Sequence, residues 1–371
     1  MADALENLRV LDFSRVLAGP FATMMLADFG AIVTKVERPG GGDETRSWGP
    51  PYDDRGEATY FQSVNRNKHA ILLDLSTEAD LERAHALAGE ADVIVENFRP
   101  GVMDKLGLGY EQLRVDRPAL IYCSITGFGG GAGARLPGYD LLAQALGGLM
   151  SITGESDGEP QKVGVALVDV LAGLFSTVGI LAALRHRDTT GEGQLVEVNL
   201  LCSLLAALVN QASAYTVAGV VPERMGNAHP SITPYEPYRT ADGELVLAAG
   251  NERQFAALCE VIGAPELASD ARFASNGERV NNRKALTAEL EARLAARSAT
   301  EWAQLMTEAR VPAGVVNDVR QAFALAQSLG LEPTVSIARD DGGSVELTRN
   351  PVSLSRTPAT YRSSPPSYPE V

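Results

Sequence analysis

A single carboxylate, Asp169, interrupts the otherwise apolar run from Val163 to Leu184, which closes on Arg185-His186-Arg187. Burying an unpaired carboxylate is expensive, so its presence needs a physical reason. Two readings are open. Asp169 can cap a buried helix running from about Val170 to Arg187, where cationic side chains suit the carbonyl end. The same geometry also serves chemistry, because N–H groups at a helix start would keep the carboxylate ionised and outward-facing. An ionised, desolvated carboxylate is a nucleophile.

Cationic residues recur at the ends of expected strands. Arg38 follows the second, Arg66 and Lys68 precede the third, Arg99 follows the fourth, and Lys105 comes soon after. In an open α/β sheet the carboxyl ends of the strands line the ligand crevice, which places Arg38 and Arg99 to meet an anion. Several such cations in an acidic protein point to a polyphosphate ligand. No GxGxxG or Walker loop is present, which disfavours a dinucleotide enzyme, and Gly127-Phe-Gly-Gly-Gly131 reads as a flexible loop. His69, His85, His186 and His229 are scattered without a second ligand at helical or hairpin spacing, so no metal site is expected.

The elements that must position these residues alternate between strand and helix. Leu8 to Phe13, Ala31 to Glu37, Ala70 to Leu75, Asp92 to Phe98, Leu120 to Ile125 and Gln194 to Leu200 read as strands. Between them lie helical patterns, including Thr77 to Glu90 and Tyr139 to Met150, and Leu201 to Ala218 reads as one helix packed on both sides. This predicts an α/β domain with an open, mainly parallel, Rossmann-like sheet. Val221 to Pro237 holds four prolines and reads as a linker, followed by a hairpin about Ala241-Asp-Gly243 and by helical patterns at 251–262, 283–297 and 300–309. The expected division is a large domain over 1–220, a linker and small α+β domain over 221–310, and an extended tail over 311–371. That tail is rich in β-type runs and is expected to return to the large domain.

Composition narrows the function classes. A chain of 371 residues with 45% hydrophobic and 21% charged residues can bury a sizeable core. A net charge of -15 argues against nucleic-acid binding, which depends on phosphate neutralisation, but leaves room for a small anion at a local cationic site. Three widely separated cysteines, Cys123, Cys202 and Cys259, fit free thiols in a reducing compartment. The start of the sequence carries Asp3, Glu6 and Arg9 in place of an apolar signal region, and the longest apolar run contains Asp169. A cytoplasmic protein with no membrane partner is expected.

Several segments together resemble the family III CoA-transferases, the group of formyl-CoA and carnitine CoA-transferases. They are Arg15-Val-Leu-Ala-Gly-Pro20, the stretch from Ala27 to Pro39, Asn65-Arg-Asn-Lys68 with Leu73-Asp-Leu75, Val95-Glu-Asn-Phe-Arg-Pro-Gly101, Ser124-Ile-Thr-Gly-Phe-Gly129, Gly138-Tyr-Asp140 and Val168-Asp169. They occur in order along nearly the whole chain. The resemblance implies a sheet domain formed by both chain ends, a smaller second domain, and a homodimer of interlocked chains. It also implies acyl-CoA and a small carboxylate as substrates, with no covalently bound cofactor. By the same resemblance Asp169 matches the catalytic aspartate. Val16 and Ala18 match the loop beside CoA, Arg38 the contact near its adenine and phosphates, and Asn97 and Phe98 the strand-end contact. Lys68, Leu73, Arg99, Lys105, Tyr139 and Asp140 fall in binding segments.

The implied reaction passes through an acyl-aspartyl anhydride and an aspartyl-CoA thioester on Asp169. A related branch, the α-methylacyl-CoA racemases, moves a proton and carries a His-Asp step where this chain has Tyr139-Asp140. Tyrosine, with an ordinary pKa of about 10, is a poor base near neutrality, which favours transfer over racemisation. A binding protein without catalysis is a further alternative, against which Asp169 in an apolar setting speaks. The resemblance bears on the substrates too: the formyl-CoA branch carries a glycine-run loop over its active site where this chain has Leu247-Ala-Ala-Gly-Asn251 with one glycine. That difference disfavours oxalate with formyl-CoA and leaves a dicarboxylate or branched carboxylate with succinyl-CoA as the expected pair.

Overall fold

The structure is a computed structural model that describes residues 3–340 and 342–368. The chain folds as two compact units, one of Met1–Met150, Lys162–Val221 and Leu331–Val371, the other of Ser151–Gln161 and Pro222–Gly330.

The first unit is built on six parallel strands: β1 (Arg9–Asp12), β2 (Ile32–Glu37), β3 (Lys68–Leu72), β4 (Val93–Glu96), β5 (Ile121–Thr126) and β6 (Leu195–Asn199). Their order is β3-β2-β1-β4-β5-β6. This is a doubly wound arrangement whose direction reverses between β1 and β4, where a crevice opens at the strand ends. The central strands β1, β4 and β5 carry short apolar runs because both faces are covered there. Val10, Val93, Val95, Ile121 and Cys123 point into one core, beneath the helices Ala18–Asp28 and Leu167–Thr190. Leu11, Ile94 and Tyr122 point into the other, against Ala84 and Ala88 of the helix Glu78–Glu90.

Helix Leu167–Thr190 is long and apolar enough to cross a membrane by length and composition alone. One stripe of it, Val168, Ala172, Ile180 and Ala183, is buried in the core over the sheet. Gly173 permits this approach, since a Cβ there would stand 2.7 Å from the Ala18 carbonyl oxygen.

In the second unit β7 (Tyr235–Arg239), β8 (Glu244–Ala248) and β9 (Ala313–Val315) form an antiparallel sheet. Leu245, Leu247, Phe255, Leu258, Leu286, Leu290 and Trp302 form its core.

Three sequence expectations are corrected. Residues 311–330 group with the second unit, because the Val311-Pro-Ala-Gly break feeds β9 onto β8. The tail is not wholly extended: Val319–Ser328 is a helix, opened by a capping box between Asp318 and Gln321. The stretch 201–218 is two helices, Leu200–Ala207 and Val209–Ala218, bent by 84° where Val209 takes a φ of 43°. The second of them buries none of its residues. Two further strands, β10 (Thr334–Ala338) and β11 (Ser344–Thr348), pair as an antiparallel hairpin in the first unit.

Candidate active site

The crevice between β1 and β4 is bounded by the loops that leave those strands. Asn97, just past β4, ties the two loops together by mimicking a backbone: its Oδ1 accepts from the Arg15 amide at 2.9 Å and its Nδ2 donates to the Arg15 carbonyl at 2.7 Å. The Arg15 guanidinium stacks 5.0 Å from the centre of the Phe98 ring and pairs with Glu44 at 2.7 Å. The next residue, Val16, has a φ of 69°. A β-branched side chain is disfavoured there by roughly 1–3 kcal/mol, so surrounding contacts must enforce the turn.

Lys68 lies beneath this loop and lines neither of the two cavities described below. Its Nζ is spent on Asp12 at 3.2 Å, the Pro20 carbonyl at 2.8 Å and Asn65 at 3.0 Å. Burial pulls its ammonium down to about 8, against the opposing pull of Asp12. These three bonds make Lys68 a structural tie of the loop, and the residue borders a separate cavity with Asn67, His69 and Arg362. Among the described residues Lys105 lines none of the strand-end cavities and stays exposed on the short helix Val102–Lys105.

Asp169 stands in the first turn of helix Leu167–Thr190. It does not cap that helix. The cap comes from Asp140, whose Oδ1 accepts from the Val168 amide at 2.7 Å and the Asp169 amide at 3.3 Å. Asp140 Oδ2 accepts from Gln144 Nε2 at 2.6 Å, and Gln144 Oε1 in turn accepts from the Val163 amide at 2.9 Å. The expectation that capping holds Asp169 ionised thus reverses: burial, reinforced by the Asp140 charge, pushes its carboxyl up to about 7. A carboxylate with that affinity for a proton is a better nucleophile than an ordinary one.

Asp169 opens onto a cavity of about 160 Å³ that it lines with Ala18, Asn97, Phe98, Arg99 and Tyr139. A second cavity, about 190 Å³, lies at the ends of β1 and β2 and is lined by Arg15, Arg38, Leu73 and Phe98. Phe98 borders both. Gly127 and Gly138 face each other across the first cavity's wall, where a Cβ on Gly127 would overlap the Gly138 backbone. The structure therefore brings together six of the expected residues around one cavity and places Arg38 and Leu73 next to it. Val16 is partly buried and, like Phe21, Tyr60, Ala166 and Val170, packs against the buried cluster of Leu17, Met24 and Val64.

Tyr60 escaped the sequence reading. Burial and the nearby charges of Asp169, Asp140 and Asp43 raise its phenol to about 12, which keeps it a hydrogen-bond donor. Trp48 packs edge-on against it at 5.4 Å. An aromatic pair between the short helix Thr59–Ser63 and the residue that follows the turn Glu44–Ser47 gives no sequence signal of this kind. Glu96, which accepts from the Phe98 amide at 2.8 Å, is likewise pushed up to about 7 by burial.

The model of CoA-transferase family III matches residues 5–370. The chain is 44% identical to succinyl-CoA:glutarate CoA-transferase of Mus musculus, over 95% of this chain and 83% of that protein. It is 43% identical to succinate–glutarate CoA-transferase of Agrobacterium fabrum, over 99% and 93%. Among solved structures, a CAIB/BAIF family protein from Brucella suis superposes with a TM-score of 0.87 at 43% identity, covering 99% of this chain and 97% of that one. A match of this extent, over a doubly wound sheet with a buried carboxylate at its switch point, makes the chain a CoA-transferase of family III.

Proposed function

We propose that the protein moves CoA from succinyl-CoA to a small dicarboxylate of glutarate size, with Asp169 as the covalent nucleophile. The observation that carries this reading is the raised carboxyl of Asp169 on a cavity of acyl-group size, joined through Phe98 to a second pocket that carries Arg15 and Arg38. CoA would lie with its adenine and phosphates near Arg38 and Leu73, its pantetheine along Asn97 and Phe98, and its thioester at Asp169. Tyr139 and Arg99 border the acyl group, and Arg99 would pair with its distal carboxylate.

The Asp169 carboxylate attacks the donor acyl carbon, the C–S bond breaks, and CoA leaves as thiolate. The thiolate attacks the aspartyl carbonyl of the anhydride and releases the donor acid. The acceptor carboxylate then attacks the aspartyl thioester, and the freed thiolate takes the new acyl group and restores Asp169. No net proton moves, and each intermediate keeps an activated acyl bond provided water is excluded.

A homodimer is part of the same proposal. Leu174, Phe175, Val178 and Leu181 expose one face of the long helix, a patch suited to burial against a second copy. The three free cysteines accord with a reducing, cytoplasmic setting.

Incubation with succinyl-CoA and a panel of free carboxylates, read by mass spectrometry, should yield glutaryl-CoA or a near homologue. Asp169→Asn should bind CoA normally and lose transfer by at least about a thousandfold. Transfer near the wild-type rate in that variant would end the nucleophile assignment. Deuterium uptake at the α-carbon without any exchanged ester would favour proton transfer instead.

A further inference from the structure

Four ionisable side chains lie fully buried beneath the loop that follows β1, and the transfer chemistry uses none of them. Lys35 and Asp43 meet at 2.9 Å and Lys68 and Asp12 at 3.2 Å, all without solvent exposure. A buried ion pair is weak evidence for stability, since desolvation of both charges offsets their attraction and apolar replacements are often neutral or better. Their presence calls for a use other than holding the core together.

Their backbone contacts supply one. Lys35 Nζ donates to the Ser14 carbonyl at 2.9 Å, and Asp43 accepts from the Val16 amide at 3.3 Å. Asp12 accepts from the Ser14 amide at 2.9 Å, and Lys68 donates to the Pro20 carbonyl at 2.8 Å. The two pairs grip the chain on both sides of Val16, whose φ of 69° an unrestrained valine would leave for the extended region. Relaxation there would swing Ala18 away from the cavity that it lines with Asp169.

We propose that Lys35 and Asp43 are positioning residues for CoA: their buried pair holds the strained turn at Val16 in the form that receives the thioester. The inference rests on the reading of Val16 and Ala18 as part of the loop beside CoA. It predicts a binding defect that depends on the side chain at position 16, which a purely structural role does not.

The test is a cycle between Lys35→Met/Asp43→Asn and Val16→Gly in the full-length protein. Asparagine keeps the cap that Asp43 gives the turn Glu44–Ser47, so the fold should persist, read as the thermal midpoint. With valine in place, the double replacement should raise the calorimetric Kd for free CoA and the KM for succinyl-CoA about tenfold, with kcat within about threefold. Glycine adopts the left-handed turn unaided, so in the Val16→Gly background the same replacement should change the Kd about threefold or less. An unchanged Kd in the valine protein, or an undiminished defect in the glycine background, overturns the proposal. Should the double variant fail to fold, Asp43→Asn alone carries the same cycle. Failure of the wild-type protein to bind CoA would sink the underlying reading of the loop instead.

Discussion

The two walls of the cavity at Asp169 are built on opposite principles. The wall after β1 rests on buried charges and on the two hydrogen bonds between the Asn97 side chain and the Arg15 backbone, and leaves little freedom to its backbone. The wall after β5 runs through Gly127 to Gly138; the Gly129 amide donates to the Thr126 hydroxyl at 3.1 Å and a short turn at Ala132–Arg135 holds its far half, but the space around Gly129, Gly130 and Gly131 is open. On the proposed function the fixed wall meets the part of the substrate shared by every acyl-CoA. The deformable wall meets the acyl group, which changes between the two halves of each turnover.

The contrast breaks most severely where the deformable wall touches itself. Gly127→Val would overlap the Gly138 backbone and push the loop into the cavity, and kcat/KM for succinyl-CoA should fall by about a hundredfold or more. Activity near wild type would mean that this wall does not border the reacting group. On the fixed wall, Asn97→Ala leaves both the Arg15 amide and its carbonyl without a partner. The KM for succinyl-CoA should rise about tenfold in steady-state assays, with a smaller change in kcat.

The proposed nucleophile between the walls is read by pH. On the proposed mechanism Asp169 reacts ionised, and with burial pushing its carboxyl up to about 7, kcat/KM should rise with pH through about 7, where an ordinary aspartate would be ionised throughout. Asp140→Asn retains an acceptor for the helix amides and removes the repelling charge. Its acid limb should move to lower pH by up to about one unit, giving a few-fold gain relative to its own maximum at about pH 6. A limb that stays in place would make Asp140 a cap and nothing more. The smallest effect belongs to Gly130→Ala, whose Cβ meets nothing and whose φ is not left-handed; KM and kcat should each stay within about twofold.

Much of the frame was legible in the sequence, because strands covered on both faces announce themselves as short apolar runs. Each strand of the parallel sheet overlaps its expected segment, and β3 alone begins ahead of it, at Lys68 in place of Ala70. Asp169 was legible for a related reason: a charge in an apolar helix is an anomaly at single-residue scale. The groups that govern it were not. Asp140 lies 29 residues away along the chain and caps the helix through space, so local pattern assigned the cap to the wrong carboxylate. Lys68 read as one of the cations set to meet a ligand, because nothing in its sequence neighbourhood reveals that Asp12 and Pro20 close over its ammonium. The helix Val319–Ser328 did carry a signal, the Asp-x-x-Gln spacing of its capping box.

The far end of helix Ala18–Asp28 bears on how the chain is made. Asp28 binds Arg66 at 2.6 Å, while Arg66 donates to the Thr348 carbonyl at 2.8 Å and Asn350 Nδ2 donates to Asp28 at 3.1 Å. The Thr360 amide closes on the Asp28 carbonyl at 2.7 Å, and Arg362 on that of Ala27 at 2.7 Å. An early helix therefore waits for Thr348 to Arg362 to be translated before its seam is sealed. Contacts this distant in sequence form late. A nascent chain would carry an open, chaperone-visible edge until those residues leave the ribosome, and truncation ahead of Thr348 would leave Asp28 and Arg66 half unclasped.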